Sequence, residues 1–273
     1  MTNGRLRYVV VALALLAGCG APDDGATSSA PLNWSQFKAR AYQEPDTGMY
    51  VFNGDELFEN EALLAEAYER YASGAQTELR TSETPLIVNR VNGQDDKWNA
   101  TTAANITYCI SSSSFGSRYS AVVNAMNSAT AAWEATARVN FVHLSQYDSS
   151  CTRSNSNVVF NVRQVSTTQY LARAFFPSTS RSGREILISK SSFGNISPWT
   201  LTGVLRHELG HTIGFRHEHT RPESGTCFED NNWRALTTYD SASVMHYPQC
   251  NGTQTGDLTL TTKDKSGASA LYP

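Results

Sequence analysis

His207 and His211 stand four residues apart, Glu208 follows the first of them, and His217 lies six residues further on, beyond Gly214. On an α-helix, residues four apart project from one face a turn apart, so the two imidazoles can share one ion. Gly214 can adopt the left-handed backbone that ends a helix and turns the chain back, which would return His217 as a third ligand. Three neutral imidazoles suit one Zn2+ and leave its fourth tetrahedral position to water. Glu208 is then placed to take a proton from that water as it attacks a peptide carbonyl, and to deliver it to the leaving amine. The bland alternative is a set of ordinary histidines on a partly buried helix. It must account for five matching positions at fixed spacing, and for five of the six histidines falling between residues 207 and 246.

The full pattern is H-E-x-x-H-x-x-G-x-x-H. A bare H-E-x-x-H would also fit a site with two histidines and a glutamate from a downstream helix, but His217 argues against that. The longer pattern predicts a methionine turn beneath the metal, and Ser243-Val244-Met245-His246-Tyr247 supplies one about thirty residues downstream. A free core methionine is the alternative there.

With Glu218 after the third histidine and the Ser-x-Met-His-Tyr segment, residues 100 to 273 resemble the astacin branch of the metzincins. The stretch His217 to Glu223 and the ending Leu260 to Tyr272 also resemble a bacterial group of exported HEIGH metallopeptidases, with Leu209 in place of isoleucine. The resemblance implies an α+β, zincin-like catalytic domain with a twisted mixed sheet, a backing helix and an active-site helix, preceded by a small pro-segment. It implies that Glu218 meets the mature N-terminus, and that Tyr247 can bind zinc, swing away and stabilise the oxyanion. Phe52-Asn53-Gly54-Asp55 resembles an astacin pro-segment element whose aspartate takes the place of the catalytic water, so that Asp55 would be an inhibitory ligand in a latent form. Asn53-Gly54 is also a strong hairpin signal in its own right.

The expected activity is that of a zinc-dependent endopeptidase. The rival classes are a zinc hydrolase of a non-peptide amide or ester, and a zinc-containing binding or adhesion protein. A closed structural zinc site has no need of Glu208. Substrate is expected to pair in extended form with an exposed sheet edge, for which Leu171 to Phe176 is the candidate. With a net charge of -3 the chain has no nucleic-acid footprint, and the expected partner is a protein or peptide substrate of a monomer.

At the N-terminus, Arg5 and Arg7 precede an apolar run from Tyr8 to Ala17, too short to span a bilayer, which reads as an export signal. It ends in Leu16-Ala17-Gly18-Cys19, which resembles the bacterial lipobox, with Cys19 lipidated at the head of the mature chain. A simple secretory signal with an incidental cysteine is the alternative. The localisation expected is therefore a bacterial cell-envelope lipoprotein, whose catalytic domain can be released outside the cell. Without Cys19, an even set remains: Cys109, Cys151, Cys227 and Cys250. Two disulfides are expected, and of three pairings Cys109 to Cys151 and Cys227 to Cys250 are favoured because each closes a moderate loop.

The elements that must position the site are legible from periodicity. Residues 20 to about 30 read as a flexible tether. A helix with Leu57, Leu64, Tyr68 and Tyr71 on one face ends at Gly74, and a polar linker runs to about residue 100. Strands are expected at Ile106 to Ile110, Val139 to Leu144, Asn157 to Val165 and Arg184 to Ser189, with a long helix over Tyr119 to Ala137. The metal helix is expected to start with Ser197 at its N-cap and Pro198 at N1. Residues 20 to 100 carry 14 acids against 6 bases, and residues 101 to 273 carry 11 against 14. That complementarity fits a pro-segment covering its enzyme, or equally a solvated acidic face. The organisation expected is a signal over 1 to 19, a tether and pro-segment over 20 to 95, and a catalytic domain over 96 to 273.

Overall fold

A computed structural model of the chain describes residues 32–74 and 86–273. The export signal, Cys19 and the tether lie outside the described residues. Among those residues no helix is long and apolar enough to cross a membrane.

The first described stretch has its own small core. Helix α1 (Trp34–Arg40) starts at Asn33, whose side chain accepts from the Gln36 N–H in a capping box. Strands β1 (Tyr42–Gln43), β2 (Tyr50–Phe52) and β3 (Glu56–Phe58) form an antiparallel sheet, followed by α2 (Glu61–Gly74). Leu57, expected to open the helix, sits in β3, because Asn53 (φ 51°) and Gly54 (φ 99°) turn the chain back as a hairpin. The strand alternation divides the labour. Tyr50, Phe52 and Phe58 pack with Phe37 and Leu64, while Met49, Val51 and Leu57 face the other way into the main core.

That core begins earlier than the linker reading allowed. Leu86, Ile87 and Val88 are fully buried, and β4 (Ile87–Val91) pairs with β5 (Gln94–Asp95) and with β11 (Trp233–Ala235). The apolar triplet is too short to stand out beside its polar neighbours in a periodicity reading.

After a single turn of helix, α3 (Ala100–Ala103), strand β6 (Ile106–Ile110) falls where it was expected. A short α4 (Ser112–Phe115) leads into α5 (Tyr119–Glu134), and the remaining strands are β7 (Phe141–His143), β8 (Phe160–Val165), β9 (Ala172–Arg173) and β10 (Glu185–Ser189). They form one mixed sheet in the order β7-β6-β8-β10-β9, parallel except for β9, which runs antiparallel to β10 at the edge. The candidate substrate edge, Leu171 to Phe176, therefore contains the edge strand. Val122, Met126, Ala129 and Trp133 are the buried face of α5. Trp133 also donates its Nε1 hydrogen to the Arg206 carbonyl at 2.9 Å, tying α5 to α6 (Leu201–Thr212). Cutting Trp133 back to alanine would cost ~3–5 kcal/mol. Helix α7 (Thr262–Leu271) closes the chain, capped by Thr261.

The start of α6 is three residues later than expected. Thr200, not Ser197, is the N-cap: its side chain accepts from the Gly203 N–H. Ser197 and Pro198 belong to the preceding loop, where the Pro198 carbonyl sits against Gly256. Both favoured disulfides are present, Cys109–Cys151 and Cys227–Cys250, each with Cα atoms 5.7 Å apart.

Candidate active site

Helix α6 carries His207, Glu208 and His211 on its buried side, and Gly214 ends it. Gly214 has φ +99°, and a Cβ there would lie 2.2 Å from the Asp96 carbonyl oxygen, so both backbone conformation and space require glycine. The turn brings His217 beside the two helical histidines: the His207 and His217 Nε2 atoms are 3.3 Å apart. Met245 lies under the helix, where a Cβ on Gly210 would meet its sulfur at 2.4 Å. The Met245 carbonyl accepts the Glu218 N–H at 2.8 Å, which ties the methionine turn to the segment after His217.

Each imidazole is held by its outer nitrogen. His207 Nδ1 is 2.7 Å from the Val244 carbonyl oxygen and His211 Nδ1 is 2.7 Å from that of Phe215. A carbonyl can only accept, so in both rings Nδ1 carries the proton and Nε2 presents a lone pair. His217 Nδ1 is 2.6 Å from Glu229 Oε1. The three Nε2 atoms converge on one point, and Asp55 enters there from the β2–β3 hairpin. Its oxygens lie 3.1 Å from His207 Nε2, 3.0 Å from His217 Nε2 and 3.6 Å from His211 Nε2.

This donor set fits a dication. The 3.0 Å approach of Asp55 Oδ1 to His217 Nε2 lacks hydrogen-bond geometry, and Asp55 Oδ1, His211 Nε2 and Glu208 Oε2 are buried without a hydrogen-bond partner. Burial pushes His217 down, but Asp55 and Glu229 on either side outweigh it and would hold a proton on that ring. Burial pushes His211 down to about 4, so its Nε2 stays a neutral donor. A proton on His217 serves one ring, whereas a zinc ion among the three Nε2 atoms serves all of them and the carboxylate.

Glu208 is buried, and burial together with the neighbouring Asp55 charge pushes its carboxyl well up. It lines a cleft with Tyr170, Leu171, Ala172, Trp199 and Tyr247. Tyr247 stacks on the His207 ring and lies tilted by 46° against the His217 ring, with centroids 5.6 and 4.5 Å away. Its hydroxyl lies 3.1 Å from where a Cβ on Gly54 would be, so a side chain before Asp55 would crowd it, and the φ of +99° there favours glycine in any case. Glu218 is fully buried away from the converging nitrogens. Its Oε1 accepts from the Asp240 N–H at 3.1 Å and lies 3.5 Å from Arg221, while Oε2 has no hydrogen-bond partner.

Sequence reading missed the charged frame behind His217. Arg216 donates to Asp230 at 2.6 Å and Glu229 at 2.9 Å, and lies 3.0 Å from Glu56. Arg70 of α2 reaches Asp230 at 3.1 Å, so two residues of the upstream stretch join a cluster that supports a histidine of the site. Burial pushes Glu56 up to about 7 despite Arg216. Glu229 and Asp230 have no motif spacing to betray them, because they come from a separate loop pinned by Cys227–Cys250.

The matrixin peptidase family matches residues 97–224. A bone morphogenetic protein 1 homolog of Strongylocentrotus purpuratus is 41% identical over 16% of this chain and 10% of its own length. The zinc metalloproteinase nas-30 of Caenorhabditis elegans is 35% identical over 23% of this chain and 11% of its own. The chain thus spans about a tenth of the length of these relatives. Among solved structures, the hatching enzyme zinc-protease HCE-1 of Oryzias latipes superimposes with a TM-score of 0.42 at 22% identity, over 64% of this chain and 92% of the other. The matrixin match and the convergent histidines make residues 97–224 similar to the metzincin peptidases, and the shorter matches are to zinc metalloproteinases of this kind.

Proposed function

We propose that the chain is a zinc-dependent endopeptidase made as a latent, exported zymogen. The observation that carries this reading is the convergence of three Nε2 atoms beside Glu208, with an aspartate from an upstream hairpin at their focus. His207, His211 and His217 would hold one zinc ion. Zinc bound there supplies a Lewis acid and lowers the pKa of a coordinated water toward ~7.

The remaining work belongs to side chains. Glu208 takes the proton of the attacking water and returns it to the leaving amine, a role favoured by a carboxyl whose affinity for protons burial has raised. Tyr247, standing over the histidine rings, donates to the developing oxyanion once Asp55 has left. The antiparallel edge at Ala172–Arg173 offers backbone groups to an extended peptide next to Glu208.

Latency rests on Asp55. It occupies the place a water needs, held by the hairpin and by the contacts of Glu56 and Arg70 with the Arg216 cluster. Residues 20 to 74 would be the tether and pro-segment behind an export signal ending at a lipidated Cys19. The burial of Leu86 to Val88 supports a catalytic part that begins upstream of Leu86. Both disulfides suit an oxidising compartment.

Glu208→Gln tests the reaction. Peptide cleavage by the processed enzyme should fall ~10²–10⁴-fold with zinc content unchanged. Unchanged biological activity in that variant, with zinc retained, would instead mark a binding protein.

A further inference from the structure

Tyr247 is held by its backbone, and two imidazoles hold it. Its N–H donates to His219 Nδ1 at 3.2 Å, and its carbonyl oxygen lies 2.9 Å from His246 Nδ1. An amide N–H can only donate and a carbonyl can only accept, so the two peptide groups fix opposite tautomers: His219 carries its proton on Nε2 and His246 on Nδ1. The other nitrogen of His246 accepts the Tyr239 hydroxyl at 2.7 Å. His219 Nε2 faces Glu229: it lies 3.3 Å from Oε1, the same oxygen that sits 2.6 Å from His217 Nδ1. The His219 ring also stacks on both neighbours, on His217 with centroids 4.6 Å apart and planes at 19°, and on Tyr247 at 4.8 Å and 29°. The side chain is buried, and Ser224 Oγ donates to the His219 carbonyl at 2.6 Å.

From this geometry we infer that His219 is a positioning residue for the reaction: one nitrogen fixes the pivot of Tyr247, the other braces the carboxylate behind His217. The inference rests on the endopeptidase reading. Both ring nitrogens of His219 are engaged away from the three converging Nε2 atoms, so its effect passes through Tyr247 and Glu229. Once Asp55 has left, ring stacking alone does not fix how far the phenol stands from the reacting carbonyl. The backbone does. With the Tyr247 N–H bonded to His219, its Cα cannot shift without leaving a donor unpaired, which is unfavourable, and the phenol then moves only about its side-chain torsions from a fixed point. Misplacing a group aimed at developing charge by about 1 Å can cost ~10²-fold in rate.

Two substitutions separate the two nitrogens. In His219→Asn the side-chain oxygen can take the place of Nδ1 and accept the Tyr247 N–H, but nothing reaches Glu229. In His219→Gln the NH2 can take the place of Nε2 and donate to Glu229, but the Tyr247 N–H loses its acceptor. In active enzyme processed from the full-length chain, His219→Gln should lower kcat about tenfold or more with little change in KM, and His219→Asn should lower it markedly less. Zinc affinity of the full-length chain, measured by competition with a chromophoric chelator, should show the opposite order, with His219→Asn weakened about threefold or more. In a Tyr247→Phe background the tenfold factor of His219→Gln should shrink to less than about threefold, because the hydroxyl it positions is gone. Equal kcat losses in the Asn and Gln variants, or a full tenfold loss in the Tyr247→Phe background, overturn the positioning role while leaving the peptidase intact. If either single variant does not fold, the other still decides, since an Asn variant as slow as tenfold below the parent, or a Gln variant within about twofold of it, contradicts the assignment. No cleavage of any peptide by the zinc-loaded parent removes the endopeptidase reading and the positioning role with it.

Discussion

Replacing Glu229 by glutamine probes how the third histidine is held. Glu229 Oε1 is 2.6 Å from His217 Nδ1, and its Oε2 accepts from Arg216 Nη2 at 2.9 Å, so both oxygens are needed as acceptors. Glutamine has one acceptor and one donor. With its oxygen toward His217, its NH2 faces the Arg216 guanidinium, donor against donor. With its NH2 toward His217, the ring must move its proton to Nε2, the atom that faces the metal position. Bonds to charged partners contribute ~1.5–3 kcal/mol each. Losing one and weakening the other should destabilise the fold by ~2–4 kcal/mol, limited because Arg216 keeps Asp230 and lies near Glu56. That corresponds to a fall in melting temperature on the order of 5–15 °C. Zinc affinity should fall ~10–100-fold, the usual effect of removing a carboxylate behind a ligand histidine. Competition for zinc against a chromophoric chelator at neutral pH measures this directly on the full-length chain. Glu223→Gln, at a partly exposed carboxylate that pairs with Arg221, is the control and should change little. A folded Glu229→Gln protein whose zinc affinity stays within about twofold of the parent would refute the reasoning.

Asp55→Ala should release latency: before any processing, the full-length variant should cleave peptides at least ~10-fold faster than the parent, and equal silence in both would sink the latch. N-terminal sequencing of the active form should place its first residue ahead of Leu86, since Leu86 to Val88 are core residues; a start beyond Val91 that keeps full activity contradicts this. Burial pushes the Glu44 carboxyl up, but Arg173 and the hydrogen bonds from Arg173, Thr47 and Tyr170 outweigh it and hold the group below its ordinary 4.5. A carboxylate lowered on folding contributes stability above its unfolded value and loses it as the pH falls through the folded value. The melting-temperature deficit of Glu44→Gln against the parent should therefore be full above pH 4.5 and close below it, and a gap independent of pH would argue against the ion pair.

Much of the site could be read without coordinates because its geometry is local. His207, Glu208 and His211 lie on one helix, where spacing alone sets which side chains share a face, and Gly214 and His217 follow within one turn of chain. Periodicity placed β6 and most of α5 for the same reason: a buried face imposes its repeat on the residues that cover it. The error at Ser197 was also local, because Thr200 competes for the cap and only the Gly203 N–H decides between them.

What tertiary structure alone decided is who meets whom across long separations. No spacing rule links Glu229 to His217 through a disulfide-bound loop, Glu44 to Arg173 across more than a hundred residues, or Leu86 to Val88 to a core whose other walls come from the rest of the chain. These contacts depend on how the packed elements cross in space, and a buried charge carries no periodic mark in the sequence; its partner is whichever group the fold delivers. The three histidines and Glu208 were thus written in the chain, while the carboxylates that surround them, Asp55 and Glu229, were brought there by the fold.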